Sequence, residues 1–179
     1  IEKTLYYLSK KIDNQDIFFL YFTGHGSIYN PNPIMKAIIY EKRIDIVNGY
    51  LFGDELRVYL EKINSNITIV LADICYGGFL KKYLTQNNIV LISSAKEYER
   101  SDGATKETFA YFFAEALTKE KNELLNDNIL VLTNHMSIDK AFEYAKIKHN
   151  SVFHDTLDNK VDHTPIIDSF LDSSSIMLK

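Results

Sequence analysis

Apolar residues along this chain fall into two patterns, unbroken runs and helical stripes, and the two alternate. Unbroken runs occupy 17–23, 67–73 and 89–94. Runs of this length, rich in Ile, Val and Phe, predict strands buried on both faces, as in a parallel sheet covered by helices. Helical spacing lies between and around them: Ile1, Leu5, Leu8 and Ile12 at the start, then Leu56, Tyr59, Leu60 and Ile63 after Gly53-Asp54. It returns over 79–86, in the stripe of Phe109, Phe112, Phe113, Ala116 and Leu117 within 106–119, and over 137–148. The first of these helices ends at a turn, Asp13-Asn14-Gln15-Asp16. The stretch Ser27 to Pro33 predicts a loop, with two β-like runs near 36–40 and 44–51 as a hairpin beside it, and 150–164 predicts a further loop before a late strand at 166–171.

The recurring order strand, helix, strand, helix, strand predicts one α/β domain over 1–179, with no linker or repeat to divide it. In such sheets, side chains just beyond the carboxyl ends of strands share one edge, and ligands gather there. The chain opens at Ile1 in a helical pattern without Met, which is the expectation for a processed form or a segment cut from a longer chain.

Composition narrows the classes of function. With 179 residues, 46% of them hydrophobic and 25% charged, the chain can fill one sizeable core. A net charge of -4, with no basic cluster longer than Lys10-Lys11 or Lys81-Lys82, argues against nucleic acid or an anionic membrane as the dominant partner. No apolar run reaches the roughly 18 to 20 residues of a membrane span. A single cysteine, Cys75, excludes an internal disulfide and a multi-cysteine zinc site, leaving thiol chemistry or burial. No metal or cofactor is expected.

Two of the buried runs end in reactive groups. The first runs into Thr23-Gly24-His25-Gly26, the second into Asp73-Ile74-Cys75-Tyr76-Gly77-Gly78. If the two strands adjoin, their spacing of about 4.8 Å brings an imidazole and a thiol within a few ångströms. A thiol of pKa about 8.5 is only slightly ionised at neutral pH and needs help. His25 can supply it as an imidazolium partner that later protonates a leaving amine. The helix predicted after Gly77-Gly78 would add its dipole, typically 0.3 to 1 kcal/mol. The glycines on either side of His25 and after Cys75 allow tight turns and the close approach of a substrate backbone. By position, the backbone N–H groups of Gly26 and Cys75 are candidates for an oxyanion hole, where one donor is typically worth about 2.7 to 4 kcal/mol.

At these residues the chain resembles a known family. Tyr21 to Ser27 and Ala72 to Gly78 are similar to the His and Cys blocks of the caspase-like superfamily of cysteine peptidases, and within it to the legumain family, which includes the catalytic subunit of the glycosylphosphatidylinositol transamidase. The likeness continues through Ile92-Ser93-Ser94-Ala95, Glu99-Arg100-Ser101 and the helix from Thr105 to Leu117, and covers roughly 1–118. It implies a three-layer α/β/α sandwich with a mainly parallel sheet, lacking its first strand, which would precede Ile1. It also implies a cysteine endopeptidase with His25 as general base and acid and Cys75 as nucleophile. Relatives carry an acidic residue two positions before the nucleophile in the pocket for the side chain preceding the cleaved bond, the place Asp73 holds here. Strand alternation puts residues 73 and 75 on one face. A carboxylate there favours Arg or Lys, or orients an Asn amide. Ser94, Glu99, Asp102 and Glu107 complete the expected substrate-binding set.

Two departures stand out. The residue that orients the histidine in the family would also precede Ile1, so no third member of a triad is named. Tyr76 follows the cysteine where Glu, Gln or His is usual.

Plainer readings stand beside these. Cysteine is among the most buried residue types, and it is the His block that turns the balance. Asp73 could instead cap the following turn. His135, His149, His154 and His163 have no metal-ligand spacing, and the acidic stretch Asp155, Asp158 and Asp162 lacks the calcium-loop pattern. The partners expected are a peptide or protein substrate and, beyond it, other domains or subunits of a larger assembly. The alternatives to hydrolysis are a transamidase using the same dyad, an inactive interaction domain of the same fold, and a flavodoxin-like binder, which lacks a phosphate loop.

Overall fold

The computed structural model describes residues 1–29, 41–47, 49–101, 108–118, 136–154, 164–169 and 176–178. Its centre is a four-stranded sheet in the order β1-β5-β6-β8, formed by β1 (Ile17–Thr23), β5 (Ile67–Asp73), β6 (Ile89–Ser93) and β8 (Ile166–Ser169). β1, β5 and β6 run parallel, and β8 returns antiparallel against β6. The chain is therefore mixed α/β with a mostly parallel sheet.

Alternation along the central strands divides the core in two. Ile69, Leu71, Val90 and Ile92 face α3 (Phe109–Thr118) and α4 (Ile138–His154), packing with Phe109, Phe113, Phe142 and Tyr144. Val70, Ala72, Ile89 and Leu91 face the other way, toward Leu5 of α1 (Glu2–Leu8), Leu56 and Leu60 of α2 (Gly53–Leu60), and Phe79 and Leu80. Helices thus cover both faces, which is why β5 and β6 read as continuous apolar runs. Full burial of each such Leu, Ile or Phe side chain contributes roughly 1.5 to 3 kcal/mol. β1 lies at the sheet edge, and while Phe18 and Phe22 are buried, Ile17, Phe19 and Tyr21 on its other face remain exposed.

β2 (Gly26–Tyr29), β3 (Glu41–Ile46) and β4 (Gly49–Phe52) form a small antiparallel sheet beside the carboxyl end of β1. Two expectations change here. The residues after His25 form a strand where a loop is expected, because Ser27-Ile28-Tyr29 finds a partner in Glu41-Lys42-Arg43. The run expected over 44–51 is two strands, β3 and β4, with Val47 in the turn between them. The β-like run at 36–40 lies outside the described residues. β7 (Met136–Ser137) pairs with β9 (Met177–Leu178).

After the cysteine, the helix expected over 79–86 is a six-residue 3-10 helix, Gly77–Lys82. Gly77 and Gly78 leave no room for a side chain: a methyl on Gly77 would meet Ser93 Oγ, and one on Gly78 would come within 2.8 Å of Glu97 N. The glycine pair therefore lets the chain close against the end of β6. Among the described residues, no helix is long and apolar enough to cross a membrane.

Candidate functional site

The register of the β1–β5 ladder sets the geometry. Thr23 is paired with Asp73, so His25 and Cys75 each leave the sheet two residues past the same rung. Both line a groove of about 470 Å³ at the carboxyl edge, together with Thr23, Gly24, Asp73, Ser101 and Thr108. His25 is exposed and Cys75 half-buried.

Backbone constraints hold the two reactive residues close. The carbonyl of His25 accepts a hydrogen bond from Asp45 N at 2.9 Å, fixing the turn to β3. Gly24 has φ +139°, a conformation that L side chains rarely adopt. Gly26 lies directly against the main chain of Cys75, and a methyl there would collide with the Cys75 carbonyl oxygen. The two backbone segments whose N–H groups are the oxyanion-hole candidates are thus in contact.

Tyr76 takes a left-handed backbone, φ 63°, an arrangement that costs a non-glycine residue of order 1 to 3 kcal/mol. It is held there from both ends. Its N–H donates to Glu99 O at 2.7 Å, and its hydroxyl accepts from Arg100 Nε at 3.3 Å. That hydrogen bond, with the nearby charges of Tyr76 and Cys75, pushes the exposed Arg100 guanidinium above its ordinary value. Tyr76, where the sequence departs from the family it resembles, is therefore the residue at which the chain turns after Cys75.

Asp73 is 6% exposed, and its carboxylate is shared. Oδ2 accepts the N–H of Ala110, in the first turn of α3, at 3.1 Å, and Oδ1 accepts from Ser101 Oγ at 3.5 Å. Asp73 lines the groove, and the turn it caps is that of α3 and not the one after Cys75. A carboxylate at a helix N-terminus is favourable by typically 0.3 to 1 kcal/mol. Ser94 is fully buried, with its Oγ 2.8 Å from Ser101 Oγ, so it touches the groove through Ser101. Ser101 also presents its carbonyl oxygen to the Cys75 thiol, which donates to it at 3.3 Å.

Glu99 is committed elsewhere. Its carboxylate accepts from Thr164 N at 2.9 Å and Thr164 Oγ1 at 3.1 Å, tying the segment after β6 to the approach to β8, and it does not line the groove. Asp102 and Glu107 lie outside the described residues, as do His135, His163 and the stretch Asp155, Asp158 and Asp162. His149 is completely buried, with Phe109 edge-on at 6.1 Å, a core residue of α4.

Three lining residues have no counterpart among the sequence candidates. Thr23 follows from the ladder register alone, and Thr108 precedes α3 and accepts Tyr111 N on its hydroxyl at 3.3 Å, a cap signal readable from a Thr before an apolar stripe. Ser101 carries no such local signal.

No protein-family model matches this sequence, and no curated protein matches it. Among solved structures, the fold is similar to that of protein GSU0716 from Geobacter sulfurreducens, a structural genomics target, with a TM-score of 0.62 at 16% identity over 99% of this chain and 76% of that one. At that identity the likeness concerns the fold.

Proposed function

We propose that this chain is a cysteine endopeptidase of the caspase-like kind, most like the legumain family, built on a three-layer α/β/α sandwich. The observation that carries the reading is the convergence of His25 and Cys75, fifty positions apart in sequence, on one groove beyond a shared rung of paired strands. In this reaction the Cys75 thiolate adds to a peptide carbonyl carbon while His25 holds the proton. The oxyanion so formed is met by the backbone N–H groups of Gly26 and Cys75, each worth about 2.7 to 4 kcal/mol of barrier. The C–N bond then breaks, the leaving amine takes the proton from His25, and a thioester remains. Water, deprotonated by His25, hydrolyses it and regenerates the thiol.

Asp73, which lines the groove, gives the preference for Arg or Lys before the cleaved bond, with Asn second. The substrate is a peptide or protein segment. An amine in place of water would turn the same steps into transamidation, using the same two residues.

The deciding experiment is digestion of a peptide library by the wild type, Cys75→Ala and His25→Ala, read by product mass with and without an added amine. Loss of cleavage by at least about a hundredfold in both variants is expected. Cleavage that survives both substitutions overturns the dyad.

A further inference from the structure

Ser101 touches both the nucleophile and the carboxylate of the groove. Its hydroxyl is 2.8 Å from Ser94 Oγ and donates to Asp73 Oδ1 at 3.5 Å, while its carbonyl oxygen accepts the Cys75 thiol hydrogen at 3.3 Å. A hydroxyl carries one proton, so with Ser101 donating to Asp73, Ser94 must donate to Ser101, and the three side chains form one directed chain that ends on the carboxylate. The final link is at the outer limit of hydrogen-bond distance and is the one a stronger donor displaces most readily. At the other end of the residue, the thiol's one proton is donated to the Ser101 carbonyl, and while it is held there it is not donated elsewhere.

We propose that Ser101 is a positioning residue that couples occupancy of the groove to release of the nucleophile. A cationic side chain pairing with Asp73 draws the Ser101 hydroxyl off the carboxylate and shifts the residue's main chain. The Cys75 thiol is thereby freed to turn toward His25. The segment before Ser101 gives this movement a fixed point, because Glu99 is anchored by Tyr76 N and Thr164. Charge-assisted pairing of a guanidinium or ammonium with a carboxylate is stronger than the neutral hydroxyl contact it replaces. This inference rests on the peptidase reading of the same groove.

The test is the rate at which iodoacetamide alkylates Cys75, followed by intact mass, because it requires no turnover. Agmatine, a small guanidinium amine, is expected to accelerate alkylation of the wild type several-fold, while neutral 1-pentanol leaves it unchanged. Ser101→Ala is expected to react faster than the wild type without ligand and to ignore agmatine, and Ser101→Thr, which restores the hydroxyl, is expected to regain the response. A wild type that agmatine slows or leaves unchanged overturns the proposal with no variant needed, as does Ser101→Ala responding like the wild type. Calorimetric titration of agmatine into Cys75→Ala locates a failure. Binding without an alkylation response removes the coupling and keeps the charge preference of the groove, whereas no binding removes both. Peptide cleavage that persists while alkylation stays insensitive to agmatine removes the coupling and leaves the peptidase reading standing.

Discussion

Gly26 lies against the carbonyl oxygen of Cys75, leaving no room for a side chain between the His-bearing turn and the Cys-bearing turn. Gly26→Ala therefore forces one turn away from the other. Overpacking of this kind costs typically 1 to 3 kcal/mol, and a loss of that size in urea unfolding is expected. Peptide cleavage should fall further than stability does, since the displaced segments carry both reactive groups. An alanine variant with wild-type stability and wild-type turnover contradicts the contact.

Asp73 separates charge from hydrogen bonding. Asp73→Asn keeps an oxygen for the Ala110 N–H and removes the charge, so the expected stability loss is about 0.3 to 1 kcal/mol. Asp73→Ala strands a buried donor and should cost about 1 to 3 kcal/mol. Both variants are expected to lose the preference for Arg or Lys before the cleaved bond, read from the library digest. Retention of that preference in Asp73→Asn would leave Asp73 as a cap alone.

Glu97 joins three elements, accepting Lys42 of β3 at 3.0 Å and also pairing with Lys82 of the 3-10 helix. Burial pushes its carboxyl up, but the hydrogen bonds from Lys82 and Lys42 and their charges outweigh this and hold it below the ordinary carboxylate value. A lowered carboxyl contributes stability that is present above the unfolded value, about 4.3, and is lost as pH falls through the lower folded value. The Lys82 ammonium is raised, chiefly by the same hydrogen bond, so its share is complete below the unfolded lysine value and fades as pH rises through the folded one. Glu97→Gln is expected to flatten the acid limb of a stability profile as pH falls below the unfolded carboxyl value of about 4.3 while preserving its shape near neutrality. An acid limb identical to the wild type would show that the triad contributes nothing there.

Ile92 is fully buried between β6 and the layer of α3 and α4. Ile92→Ala is expected to cost about 2 to 5 kcal/mol in equilibrium unfolding, with the transition still cooperative. A cost under 1 kcal/mol would mean that the helices do not pack on this face as described.

The central strands were legible because burial on both faces leaves an unmistakable apolar run: 17–23 and 67–73 are strands at those bounds, and 89–93 nearly so. The helical stripes likewise correspond to α2, α3 and α4, since a period of 3.6 survives small errors at the ends. Tertiary partners decided the rest. Gly26–Tyr29 is polar enough to read as loop and becomes a strand because β3 is beside it, while Gly77–Lys82 is a short 3-10 helix whose glycines close on Ser93 and Glu97. Around the groove, His25 and Cys75 were readable from strand ends, and Asp73 from the family resemblance. Ser101 and the diversion of Glu99 to Thr164 depend on how the segment after β6 folds back, which no local pattern encodes.

One carboxylate both lines the groove and holds the first turn of α3, so the wall of the groove and the start of a helix depend on a single side chain. Replacing Asp73 to change the charge of the groove loosens a helix in the same stroke. Changes to the groove would accordingly be easier at Thr23 or Thr108, which line the same cleft, or would first need a substitute anchor for Ala110.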